Sequence, residues 1–190
     1  MKFAIPAALA ASLVTVAAHA EPVRYDIDPS HSEILFSWTH GGFSTTRGIF
    51  FGYDGEFTFD QENPEDSSVS ISVPVMSMQT DSDLYNHLMG DDFFGASEGD
   101  TITFESTSIS VDGDDEGQIT GDLTVNGVTQ EVTLDVEFNG AGEDAMGNSV
   151  VGFSGETTLM RSDFDLGAFA PFVSDEVDVQ ISLEGSPAAE

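Results

Sequence analysis

Asp28, Ser30 and His31 bring the three side-chain types of a hydrolytic triad into one short run. Acyl transfer needs a hydroxyl against an imidazole and the imidazole against an orienting carboxylate. In an extended segment neighbouring side chains point to opposite faces, so this run does not assemble that geometry. His31, His40 and His87 with one carboxylate would supply the donors of an open zinc site. They lack the short ligand spacing of such sites, and structural hydrogen bonding is the alternative role. No metal or cofactor is therefore expected. The cations are more informative: beyond residue 20 the chain has Arg24, Arg47 and Arg161 and no lysine. Arginine grips carboxylate or phosphate through two parallel hydrogen bonds. Arg161 is expected to pair with a nearby carboxylate such as Asp163. Arg47 divides between a rim ion pair and contact with an anionic group of a ligand.

The elements that must position these residues are strands. Ile34, Phe36 and Trp38 alternate with Leu35, Ser37 and Thr39, and Val69, Ile71, Val73 and Val75 alternate with Ser68, Ser70, Ser72 and Pro74. The same period of two runs through Ile102 and Phe104, through Ile119, Leu123 and Val125, and through Val132, Leu134, Val136 and Phe138. This is the pattern of strands buried on one face. Asn126-Gly127 between two such runs signals a tight antiparallel hairpin, because both residues tolerate positive φ. Further runs at 150–159 and 177–183 bring the total to eight or nine strands. One stretch departs: Asp81 and Asp83 start, Leu84, His87 and Leu88 continue at helical spacing, and Gly90 stops a short helix near residues 80–89. Residues 63–66, 112–117 and 140–148 read as exposed loops.

Lys2, the apolar run from Ile5 to Ala18 and Ala18-His19-Ala20 have the layout of a secretory signal peptide. Residues 1–20 are assigned to it and 21–190 to one domain, periplasmic or secreted. No later run is apolar enough for stable membrane insertion. There is no Cys, so burial alone must stabilise the fold. The 35 acidic residues give the chain a net charge of −31 and exclude nucleic acid as a partner. Fifteen Phe and the regular alternation oppose disorder. The acidity is read as halophilic adaptation, because concentrated salt screens carboxylate repulsion.

An apolar sheet face with no helices to cover it must stack on a second sheet or close on itself. Gly48, Gly52 and Gly55 would permit the bends of a closed barrel. Eight strands leave an interior that is either filled by side chains or holds one small ligand. Ile34, Phe36 and Trp38 place His40 on the interior face by parity, either as a contact for a polar head or as a rim histidine satisfied by backbone or water. Phe43, Phe50, Phe93, Phe94 and Phe104 complete the expected lining, with Arg47 as the candidate for an anionic head. The consecutive Phe50 and Phe51 leave that strand's parity open.

The run Tyr25-Asp26-Ile27-Asp28-Pro29-Ser30-His31-Ser32-Glu33-Ile34-Leu35-Phe36, with His40 and Gly42-Phe43-Ser44, resembles the opening of the YceI-like family. So do, in order, His87-Leu88 with Asp92-Phe93-Phe94, Thr103-Phe104-Glu105-Ser106, the hairpin from Gly121 to Thr129, Arg161-Ser162-Asp163-Phe164 and Asp175-Glu176-Val177. Departures fall at Leu84-Tyr85, Asp100, Met160 and Asp165. The resemblance, over residues 23–185, implies a lipocalin-like antiparallel β-barrel of about eight strands. It implies an exported protein whose interior holds a long-chain isoprenoid lipid, such as a polyprenyl phosphate or an isoprenoid quinone, for transport, storage or stress response. It is expected to bind and not to catalyse, and a homodimer stays open. A lipid-modifying isomerase or cyclase using the same cavity is the alternative; it would need a polar pair of shifted pKa inside the barrel.

Overall fold

The computed structural model describes residues 22–189; the signal-peptide reading of 1–20 lies outside them. The chain forms β1 (Val23–Ile27), β2 (Glu33–His40), β3 (Ser44–Phe50), β4 (Asp54–Phe59), β5 (Ser68–Pro74) and β6 (Met78–Gln79). Then follow α1 (Ser82–Leu88), β7 (Thr101–Asp112), β8 (Glu116–Val125), β9 (Val128–Glu143), β10 (Ser149–Met160) and β11 (Glu176–Pro187). Every pairing is antiparallel.

The eleven strands make an eight-stranded barrel because three of its staves are broken in two. β11 pairs with β2 through Ile181 and Ile34 and with β1 through Gly185 and Ile27, so β1 and β2 are one bent stave. β3 and β4 follow them as the next, since β2 pairs with β3 and β1 with β4. The break between these falls at Gly52, whose φ of +66° suits a residue with no Cβ. β5 pairs with β4 while β6 pairs with β3, with a 3₁₀ turn at Val75–Ser77 between them. From β7 onward the staves are continuous, and the β1–β11 pairing shuts the ring. The Asn126-Gly127 turn joins β8 to β9 with φ of +53° and +75°, as expected of a two-residue hairpin.

Gly48 and Gly55 do not bend the chain as Gly52 does; both lie within strands. Gly48 instead lies beneath the ring of Phe36. A Cβ at Gly121 would stand 2.5 Å from the Phe104 ring, and one at Gly185 would stand 2.6 Å from Phe57. Phe36 and Phe104 thus cover bare backbone of the neighbouring stave, and Phe57 reaches past β1 to cover that of β11.

Along β9, Val132, Leu134, Val136 and Phe138 are half-buried while their neighbours are exposed. Among the described residues no large side chain is fully buried. Inward side chains that meet no opposing wall retain exposed surface, which is the signature of a hollow barrel. Rings pack together toward one end. Phe153 meets Phe57, Phe59 and Phe138 at centroid distances of 5.8, 5.1 and 5.4 Å, and Tyr25 stacks on Phe57 at 5.1 Å.

On the outer face, carboxylates sit directly opposite one another: Glu116 and Glu137, Glu105 and Asp122, Asp122 and Glu131, Asp135 and Glu156. Such partners lie roughly 5 Å apart at Cβ and destabilise a sheet when their charges match. At molar salt the Debye length shrinks to roughly 3 Å, below that spacing. The melting temperature is therefore expected to rise from low to molar sodium chloride, and Glu137→Gln to stabilise by about 0.5 kcal/mol at low salt and by less at high salt. Thermal denaturation across a salt series checks both; a melting temperature indifferent to salt would refute the account.

Candidate functional site

The apolar faces of all eight staves enclose a cavity of about 810 Å³, within the roughly 300–1,000 Å³ of small-molecule sites. Ile34, Phe36, Trp38 and His40 line it from β2, Phe50 from β3 and Phe104 from β7. Phe93 and Phe94 reach it from the loop after α1, while Leu84, His87 and Leu88 of α1 itself roof the same end. The helix sits where the sequence places it, its N-cap Asp81 accepting a hydrogen bond from the Asp83 N–H. β9 and β11 add two unbroken aliphatic rows, Val132 to Val136 and Val177 to Leu183.

Two expected lining residues do not line the cavity. Phe43 is 88% exposed, carried outward on the Gly41-Gly42 turn with φ of +60° and +72°. Strand parity ends where that turn begins. Arg47 is exposed too: Thr46 faces the cavity from the same strand and Phe50 sets the inward parity, so Arg47 projects outward. Phe51, next to the inward Phe50, is 37% exposed, which settles the parity of that run.

The mouth also has residues that periodicity did not flag. The segment 165–174 crosses it and contributes Leu166, Phe169, Phe172 and Val173 to the lining. The Phe169 ring lies 5.9 Å from Phe93 and 6.0 Å from His87, and Phe172 meets His40 edge-on at 5.1 Å. Residues 167–174 contain two Phe and no charge in a strongly acidic chain, a compositional signal for this segment.

Arg161 holds the segment in place, and not by the expected pairing with Asp163. Its Nε donates to the Ser174 carbonyl at 2.9 Å, one terminal nitrogen donates to the carbonyls of Leu166 and Ala168, and the other to that of Val173 at 3.1 Å. Burial lowers the Arg161 pKa, offset in part by the charge of Asp175. Asp175 itself accepts bonds from the Ser162 N–H at 2.9 Å and hydroxyl at 2.6 Å. The guanidinium is thus a clamp across one loop.

At the opposite end of β2, Asp28 and His31 do meet, because the chain turns through Pro29 and Ser30 where an extended path was expected. His31 Nδ1 lies 2.9 Å from Asp28 Oδ2 and 3.8 Å from Glu184 Oε1. Ser30 contributes its backbone N–H to Asp28 Oδ1 at 2.7 Å. The Asp28 N–H donates to the Glu184 carbonyl at 2.8 Å, and Ser32 exchanges hydrogen bonds with Glu184 N–H and carbonyl. Carboxylate and imidazole therefore brace the corner where β1 and β2 share β11. His40 and His87 belong to the mouth, so the three histidines do not form one site.

Residues 25–185 match the family model for the YceI-like domain. This chain belongs to the YceI-like family. The YceI protein of Escherichia coli O17:K52:H18 (strain UMN026 / ExPEC) is 39% identical over 178 residues, spanning 92% of this chain and 93% of that one. Among solved structures, BcnA of Burkholderia cenocepacia is similar with a TM-score of 0.76 at 25% identity, covering 84% of this YceI-like chain and 99% of BcnA. A polyisoprenoid-binding domain from Saccharophagus degradans, implicated in plant cell wall breakdown, shares the fold with a TM-score of 0.61 at 15% identity. It is covered to 99% by 87% of this chain.

Arg161→Lys keeps the charge but loses the fork that spans four carbonyls. It is expected to cost about 3 kcal/mol, read as a lower denaturant midpoint, and to raise proteolytic cutting within 165–174. At the corner, the Asp28 hydrogen bond raises the His31 pKa, and the same bond lowers that of Asp28. The His31 contribution is thus full below the ordinary imidazole value and lost as pH rises through its raised one; that of Asp28 is lost as pH falls through its lowered one. A melting temperature followed against pH is expected to decline as pH rises from the ordinary imidazole value through the raised His31 one, and this decline to be absent in His31→Gln.

Proposed function

We propose that this YceI-like barrel holds a polyisoprenoid or similar long-chain amphiphilic lipid, for transport, storage or stress response in the periplasm or outside the cell. The observation that carries the reading is the unfilled apolar bore. A hydrocarbon chain entering it gains roughly 0.8 kcal/mol per methylene removed from water. The polyisoprenoid binding of the structurally similar Saccharophagus degradans domain supports the same reading. So does the signal-like sequence of residues 1–20, which agrees with export.

The two ends of the bore differ in charge: Asp114, Asp115 and Glu116 line the far end, where carboxylates would repel an anionic head, and this favours a guest whose polar end stays at the mouth. His40, His87 and Arg161 gather at the mouth, where a phosphate or quinone head would remain near water while the tail follows the aliphatic rows of β9 and β11. Arg161 spends its donors on loop carbonyls, and His40 and His87 face aromatic rings. An isomerase or cyclase would require an acid and a base aimed at the chain. Rings and backbone clamps favour holding the lipid over changing it.

Trp38 is the sequence's single tryptophan and lies in the wall, so its fluorescence reports occupancy. Titration with an isoprenoid quinone or polyprenyl phosphate is expected to change Trp38 emission, with affinity rising with chain length until the bore is full. Val132→Phe with Leu134→Phe, which narrows it, is expected to weaken binding by at least about tenfold. Organic extraction of the protein from its native host, followed by mass spectrometry, is expected to yield an unmodified long-chain lipid. Silent Trp38 emission together with a lipid-free extract would refute the reading.

A further inference from the structure

We propose that the face built from the β2–β3 turn and residues 167–174 docks reversibly on the uncharged surface of a lipid bilayer, with the Phe43 ring entering the interface beside the cavity mouth. The inference rests on the lipid-binding reading and specifies where the guest is exchanged.

The two segments form one surface. The Gly41 N–H donates to the Phe172 carbonyl at 2.7 Å, the Ser174 N–H to the Thr39 carbonyl at 2.9 Å, and the Thr39 N–H to the Ser174 hydroxyl at 2.9 Å. His40 and Val173 form a bridge between them. A Cβ at Gly41 would stand 2.9 Å from the Phe172 ring and 3.0 Å from the Phe43 ring, so the two rings flank the same glycine. Phe43, Phe169 and Phe172 are 88%, 57% and 58% exposed. Three phenylalanines grouped in water on a folded protein mark a contact surface.

Charge identifies what the surface meets. The chain carries 35 acidic residues, yet neither 34–46 nor 167–174 contains Asp, Glu, Lys or Arg. The acids near the mouth lie outside these two runs, at Asp81 and Asp83 of α1, at Asp91 and Asp92 after it, and at Asp163, Asp165, Asp175 and Glu176 bordering the loop. Contact made through the two uncharged runs is neutral against neutral, whereas the acids around them would repel an anionic bilayer. Phe169, Phe172 and Val173 belong at once to this surface and to the cavity lining. An apolar guest leaving between them passes from bore to hydrocarbon without crossing water, a passage that a protein partner with a polar surface would not offer.

Flotation of the purified protein with phosphatidylcholine vesicles tests the proposal. The wild-type protein is expected to float with the vesicles, Phe43→Ser to lower its partition coefficient about tenfold, and Phe43→Trp to retain it. Met146 is 85% exposed in the β9–β10 turn at the far end of the barrel, so Met146→Ser is expected to leave flotation unchanged. Phe43 lies outside the bore, and Phe43→Ser is expected to keep the Trp38 response to lipid. Wild-type protein that stays below the vesicles, or equal losses from Phe43→Ser and Met146→Ser, would overturn the proposal. So would sedimentation showing that Phe43→Ser merely converts a dimer to a monomer, which would assign the face to a second copy. Flotation that persists while Trp38 stays silent would instead overturn the cavity reading and leave docking standing.

Discussion

Ring closure through β11 is the constraint from which the other properties follow. One long strand pairs with β10 along one edge and divides the other edge between β2 and β1, and this sharing makes the sheet a tube. A closed sheet has no edges to protect, but it must carry all its apolar side chains on a concave wall. With eight staves the wall is wide enough that Val, Ile and Leu from opposite sides do not meet. Rings narrow one end, and the other is left to α1 and a loop. The cavity is thus a geometric result of strand number and residue size, and its apolar character follows from the alternation that drives the strands to form.

The mouth obeys different physics from the wall. Its loop touches β2 only through a short bridge at His40 and Val173, and a guanidinium adds the rest by collecting carbonyls from four residues. Taking that charge out of water is unfavourable, and four charge-assisted bonds with Asp175 nearby offset it. Retention of Arg161 in a chain so poor in cations fits this architectural duty. The exposed rings the loop presents would have no reason to persist in water if the mouth met only water.

Much of this was legible in the sequence because strands repeat every two residues. Ile34, Phe36, Trp38 and His40 fall on one face by arithmetic alone, and the Asp81 cap with Gly90 brackets the one helix. The arithmetic fails wherever the chain leaves the strand. Phe43 lies past a glycine pair that resets direction, and Arg47 beyond the same turn takes the outward phase. Asp28 and His31, read as diverging, are folded onto each other by the intervening turn. Arg161 was hidden for another reason: its partners are backbone carbonyls, which every residue has and no side-chain pattern announces. Vacancy of the bore was likewise invisible, since a filled and a hollow barrel share one alternation and differ only in how far opposing walls stand apart.

Bare backbone under aromatic rings sets the calibre of the tube. At Gly48, Gly121 and Gly185 a flat ring from another stave lies where a side chain would otherwise begin. Exchanging Phe36, Phe104 or Phe57 for other shapes would therefore widen or narrow the passage while every strand stays in register. Guest selectivity can drift in such a scaffold without its architecture being renegotiated.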